Sequence, residues 1–332
     1  MRKTNLMDFD NIFVRILGFI MTLPMLVIFP HSAHSEGPAQ TSDEMFFTLE
    51  NDIDLRSLGG ANVGDLLTRV KGKGSLFGEK QRKRYCELTE NAEQVQWVLN
   101  NLESGEVISK SPNADKLFFG ASVSKLFVAA ALLNKQKGQL EKVQMDQLVR
   151  MIVVSDNHAW KELQRQVGDD GSNDSGREAI DEFVQQMGYT KIKGFQGWLR
   201  KEDGTRIHGN ELNALQLSSF LYDTYQRNYE GAEVLWKVMH ATRTGKSKID
   251  KYTPSTVYIG GKTGTYHGPN VSPETIQQPT IKARNHAAVL KIDDRYYGLS
   301  IFTNTGSNED VAILGGGLMR EHLGVGEGID CL

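Results

Sequence analysis

The chain has 332 residues, 39% of them hydrophobic and 24% charged, with a net charge of −3. These values describe an ordinary globular protein of one large domain or two small ones, and exclude the basic footprint of a nucleic-acid binder. Only two cysteines occur, Cys86 and Cys331, with no metal-site spacing and no His-Glu-x-x-His, so no metal and no other cofactor is expected.

Arg2, Lys3 and Arg15 flank an apolar core of 14 residues, Ile16 to Phe29. Ala33-His34-Ser35 then offers small residues before a cut at Glu36. The pattern predicts an export signal over residues 1–35. The apolar run is short for a span, which needs roughly 20 residues. The mature chain is therefore expected in the periplasm or outside the cell, with no stable membrane span. Oxidation is permitted there, and both a Cys86–Cys331 disulfide and two free thiols remain open.

Residues 36–90 form a segment of uncertain structure, broken by Gly59-Gly60, Gly72, Gly74 and Gly78, with a helix expected around Asn62 to Val70. The basic run Lys71 to Arg84 reads as a solvated face. A catalytic domain is expected over residues 91–325. Val95, Trp97 and Leu99 alternate as in a half-buried strand, Glu103 to Glu106 turn, and Val107-Ile108 return. Leu117 to Ala121 lead into a helix that is apolar nearly all round and so predicted to be buried. Helices follow over Gln147 to Val154 and His158 to Val167. Gly168 to Gly176 reads as a surface loop, Arg177 to Met187 as a helix, and a further helix capped at Asn210 or its neighbour runs to about Tyr225. Strands return at Thr256 to Gly261, His286 to Ile292 and Tyr296 to Asn304, the last two joined as a hairpin by Asp293-Asp294-Arg295. A long Pro-containing loop, His267 to Arg284, precedes them. A last helix, Glu309 to His322, ends at Gly324. No βαβ alternation appears. The fold class predicted is α/β in the α+β sense: an antiparallel sheet flanked by helices, with a helical insert.

Three motifs occur in order: Ser122-Val123-Ser124-Lys125, Ser155-Asp156-Asn157 and Lys262-Thr263-Gly264. Ser122 falls at the start of the buried helix, where backbone N–H groups lack partners and the dipole favours negative charge. Lys125, three residues on, shares its face. A serine hydroxyl needs a base to become a nucleophile, and a lysine serves when burial or a neighbouring cation lowers its pKa. Ser155 offers a hydroxyl for proton relay and Asn157 an amide for substrate. Lys262 and Thr263 offer a carboxylate site at a strand edge. The Thr265 N–H, with that of Ser122, offers an oxyanion hole. Taken singly, each motif is better explained by a helix cap or a strand end.

Together, and across about Gln94 to Gly324, the chain resembles the class A β-lactamase and penicillin-binding-protein superfamily, whose fold is the β-lactamase/transpeptidase-like one. Ser155 stands 107 residues before Lys262, near that family's separation. The resemblance implies Ser122 as acylated nucleophile, Lys125 as base, Ser155 as relay, Asn157 as substrate ligand, Lys262 and Thr263 as carboxylate binders, and Thr265 as second oxyanion donor. It implies an exported serine hydrolase acting on a β-lactam or a D-Ala-D-Ala-type peptide. The leading reading is β-lactam hydrolysis. A D,D-peptidase or related hydrolase with slow deacylation, and a binding or sensor protein that acylates and stops, are the alternatives.

Two departures matter. Ser122 to Ser155 is only 33 residues, short of class A. And Gly194 to Leu199, where the family's deacylating Glu belongs, offers no carboxylate, while Trp198 and Leu199 are expected to exclude water. Glu202 is the nearest acid; Glu211 is expected in a first helical turn. The acyl-enzyme is therefore expected to persist.

Overall fold

The computed structural model describes residues 70–272 and 276–331. The expected export signal and most of the Asn62 to Val70 stretch lie outside the described residues. In chain order the strands are β1 (Val70–Lys71), β2 (Val95–Asn101), β3 (Val107–Lys110), β4 (Phe118–Phe119), β5 (Trp198–Arg200), β6 (Arg206–His208), β7 (Glu211–Leu212), β8 (Tyr258–Thr265), β9 (Gly268–Pro269), β10 (Thr280–Ile281), β11 (Arg284–Ile292) and β12 (Arg295–Thr303). The α-helices are α1 (Glu79–Glu90), α2 (Lys125–Lys135), α3 (Lys142–Val153), α4 (Asn157–Val167), α5 (Asn173–Gln186), α6 (Ala214–Tyr225), α7 (Ala232–Met239) and α8 (Asn308–Leu323).

Period-two alternation explains the main sheet. On β2, β11 and β12, residues Val95, Trp97, Leu99, Ala288, Leu290, Leu299 and Ile301 point to one core, shared with α1 and α8. Their neighbours Val98, Ala287, Val289, Tyr296 and Phe302 point to the other, which the remaining helices fill. With both faces covered, these strands are buried almost without a break. The sheet runs β1-β8-β11-β12-β2-β3, every pairing antiparallel. Lys125 to Leu133 of α2 are all buried, so this helix threads the larger core.

Three expectations are revised. The sequence left residues 36–90 unplaced, yet α1 packs on α8 with Phe77, Tyr85 and Leu88 in the second core, and Cys86 is bonded to Cys331. Gly317 of α8 makes the approach feasible: a Cβ there would sit 2.1 Å from the Tyr85 ring. The loop expected over Gly168 to Gly176 is shorter, because Ser172 caps α5 through its side chain and the helix starts at Asn173. Gly176 falls inside that helix, at a close crossing with α4 where a Cβ would lie 2.0 Å from the Gln164 carbonyl oxygen. Finally, Asn213 rather than Asn210 caps α6, because Glu211-Leu212 form β7 and pair with Phe118-Phe119.

Candidate active site

The Ser122 turn is fixed by strands on either side. Ala121 adopts a positive φ of 49°, an uncommon conformation for a residue with a Cβ. It opens the short 3-10 turn Ala121–Ser124 that leads into α2. The Phe119 and Gly120 carbonyls accept from Asn285 Nδ2 at 2.8 and 3.0 Å. The Gly120 N–H donates to the Asn210 carbonyl at 2.8 Å. On the other side β8 comes so close that a Cβ on Gly264 would lie 2.7 Å from the Gly120 oxygen. Only glycine fits there without moving backbone.

Ser155 meets this turn from the end of α3. It too has a positive φ, 64°. Asp156 then caps α4, its carboxylate accepting from the His158 N–H at 2.7 Å. Lys125 Nζ donates to the Ser155 carbonyl at 2.7 Å, to Ser155 Oγ at 3.1 Å and to Asn157 Oδ1 at 2.7 Å. Lys262 Nζ donates to the same Ser155 Oγ at 2.9 Å and to the Thr263 carbonyl at 3.0 Å. A hydroxyl has two lone pairs and one proton. With both lone pairs facing lysine Nζ donors, the Ser155 O–H proton is directed elsewhere and is available as a donor.

Burial sets the acid–base chemistry. Lys125 is pushed down to about 8, chiefly because it is sealed from water, with the Asp156 carboxylate opposing. Lys262, fully buried, is held well below the lysine range by burial and by the charges of Lys125 and Lys248. A third buried lysine, Lys248, holds the end of β8: its Nζ donates to the Gly264 carbonyl at 2.6 Å, the Asn285 carbonyl at 3.0 Å and Thr265 Oγ1 at 3.1 Å. Burial lowers it to about 7. Thr263 Oγ1 and Thr244 Oγ1 bond at 2.5 Å.

The motifs are brought together: Lys125 and Lys262 meet at Ser155, beside one cleft of about 310 Å³. It is lined by Ser122, Asn157 and Thr265, and by Trp160, His208 and Tyr266 among others. A larger cleft, about 840 Å³, lies between the Asn134–Leu140 and Arg227–Val234 turns and holds none of the motifs. Among the described residues no cluster of His, Cys, Asp and Glu could hold a metal ion.

The loop between α5 and α6 differs from expectation. It forms the β5–β6 hairpin, with Trp198 opposite His208. Leu199 is buried in the helical core, but Trp198 is 39% exposed, so it does not seal the site. Glu202 lies exposed at the hairpin tip and away from the cleft lining. Glu211 is not in a helix; it is buried in β7 and accepts from Ser272 Oγ, which anchors the Pro-containing loop. Val271 of that loop stands at the cleft rim. Sequence reasoning missed His208, Asn210, Lys248 and Asn285. None sits in a motif, and only the fold brings them to the site.

The beta-lactamase enzyme family matches residues 137–315. The chain belongs to this family. Solved structures agree at the level of fold. A beta-lactamase from Chitinophaga pinensis is 17% identical, covering 71% of this chain and 96% of its own, with a TM-score of 0.51. The structure of L2 complexed with relebactam is 15% identical over 70% of this chain and 97% of that one, with a TM-score of 0.53. The TLA-3 extended-spectrum beta-lactamase is 16% identical over 71% and 95%, with a TM-score of 0.52. No curated protein matches significantly. Family membership makes the chain a hydrolase of the serine beta-lactamase type, and among the described residues no helix is long and apolar enough to cross a membrane.

Proposed function

We propose that this protein opens β-lactam rings through an acyl-enzyme on Ser122. The observation that carries the reading is the Ser155 hydroxyl held between two buried lysines beside the Ser122 cleft. Lys125, once neutral, takes the Ser122 proton as Oγ attacks the carbonyl carbon. The oxyanion meets the N–H groups of Ser122 and Thr265. Ser155 passes a proton to the leaving nitrogen, and Lys125 returns one to Ser155. Asn157 supports the substrate amide, while Lys262 and Thr263 hold its carboxylate.

We also infer export through residues 1–35, a reading supported by the Cys86–Cys331 bond, which suits an oxidising compartment. A second reading, a D,D-peptidase with slow deacylation, is favoured by one observation: no Asp or Glu lines the cleft among the described residues. The test is hydrolysis of a chromogenic cephalosporin together with intact mass after penicillin. Turnover supports the first reading. Release of D-Ala from a short peptide, without cephalosporin turnover, supports the second. Ser122→Ala should abolish both the adduct and turnover while staying folded; an adduct on that variant would remove Ser122 from the mechanism.

A further inference from the structure

An ester on Ser122 is hydrolysed only if a water attacks the acyl carbon and gives up a proton as it does so. The cleft has to supply the acceptor. Lys125 is the acceptor already assigned to acylation, Lys262 donates to Ser155 Oγ and to the Thr263 carbonyl, and the Tyr266 hydroxyl donates to the Pro269 carbonyl at 3.1 Å. His208 is different. It ends β6, is 8% exposed, and lines the cleft with Ser122, Asn157 and Thr265. Its Nδ1 is buried without a hydrogen-bond partner among the described residues, so the nitrogen that can meet a cleft water is Nε2. The ring is clasped between Phe119, stacked with centroids 6.3 Å apart, and Trp198, edge-on at 4.8 Å.

The backbone around it is tightly specified. The Gly209 N–H donates to the Gly197 carbonyl at 2.8 Å, and a Cβ on Gly209 would lie 2.2 Å from the Phe195 oxygen. The hairpin therefore delivers this imidazole to the cleft in one position. From this placement, and resting on the acyl-enzyme reading above, we propose that His208 accepts the proton of the water that deacylates Ser122.

The step balances. Water oxygen bonds to the acyl carbon as its proton passes to the imidazole, giving an oxyanion and an imidazolium. The oxyanion collapses, the bond from carbon to Ser122 Oγ breaks, and the imidazolium returns its proton to that oxygen. The product acid leaves and both side chains are restored. Burial pulls His208 down to about 4, with the Gly209 backbone opposing. The ring is thus neutral near pH 7 and about as basic as an ordinary carboxylate. In a neutral imidazole one nitrogen is always free to accept.

The experiment follows the Ser122 adduct by intact mass after benzylpenicillin, with penicillin consumption read in parallel, for the wild type, His208→Gln and His208→Ala. The expected result is full labelling of both variants and adduct decay slower by about 10²–10⁴-fold, the usual value of a general base. Free imidazole should speed decay in His208→Ala and leave His208→Gln, whose cavity is filled, unchanged. A purely structural role would not produce that difference. Equal decay in all three proteins overturns the role of His208 and leaves the acyl-enzyme intact. Neither adduct nor penicillin consumption in the wild type overturns the acyl-enzyme itself, and this role with it.

Discussion

The protonation of Lys125 is the most direct test of the acylation chemistry. All three donors of its ammonium are engaged by Ser155 and Asn157, so it accepts a proton from Ser122 only after losing one. An ordinary lysine, near 10.4, is neutral about once in 2,500 molecules at pH 7. Lowered to about 8 by burial, Lys125 is neutral in about one molecule in eleven, a gain of roughly 200-fold in competent enzyme. The sign follows: a base is active when deprotonated, so acylation should rise with pH, by about 50-fold between pH 6 and pH 8, and level off above pH 8. The assay is the rate of penicillin labelling by intact mass across that range. Lys125→Ala should lower labelling by about 10²–10⁴-fold and flatten the profile. Lys248 titrates in the same range, at about 7, so Lys248→Met is the control and should keep the slope. A flat wild-type profile, or the same slope in Lys125→Ala, would refute Lys125 as the base.

Other consequences are read with the same assay. Lys262→Ala should slow acylation by carboxylate-bearing substrates more than by their methyl esters. Losing a charge-assisted hydrogen bond is worth about 1.5–3 kcal/mol, roughly ten- to a hundredfold; equal losses would contradict carboxylate binding. Gly264→Ala should separate β8 from the Ser122 turn, because the added Cβ meets the Gly120 backbone oxygen at 2.7 Å rather than a movable side chain. Labelling should fall at least tenfold, about 1.4 kcal/mol, with the fold retained by circular dichroism. Unchanged labelling would mean that β8 does not set the oxyanion geometry.

Much of the fold was legible because it rests on local periodicity. The β11–β12 hairpin follows from alternation around Asp293-Asp294, and α8 follows from its helical run and Gly324 end. What was missed has a common physical cause. The α1 segment is crowded with charge, and its few apolar groups, Tyr85 and Leu88, match a glycine surface on α8 more than 200 residues away. The Trp198–Arg200 and Arg206–His208 strands are three residues each, too short for periodicity to register. Glu211-Leu212-Asn213 resembles a helix entry, yet β4 captures the first two residues before Asn213 caps α6.

The site divides along the same line. Ser122 with Lys125, and Ser155 with Asn157, are close in sequence because they share a turn or a helix start, so spacing alone brings them within reach. Lys262 needed only the strand that carries it. His208 has no such signature: it is 86 residues beyond Ser122 and flanked by nothing that marks chemistry. Its place depends on the hairpin pairing with Trp198, on Gly209 fitting against Phe195, and on Asn210 crossing the Ser122 turn, where Ser124 Oγ donates to Asn210 Oδ1 at 2.5 Å. Looking for a carboxylate in the loop could not find it, because the fold supplies basicity by another route. Sealing an imidazole among aromatic rings lowers its proton affinity to that of a carboxylate and leaves it uncharged. Beside Ser155, where Lys125 and Lys262 meet, a neutral acceptor adds no negative charge to compete with a substrate carboxylate, as an added carboxylate would.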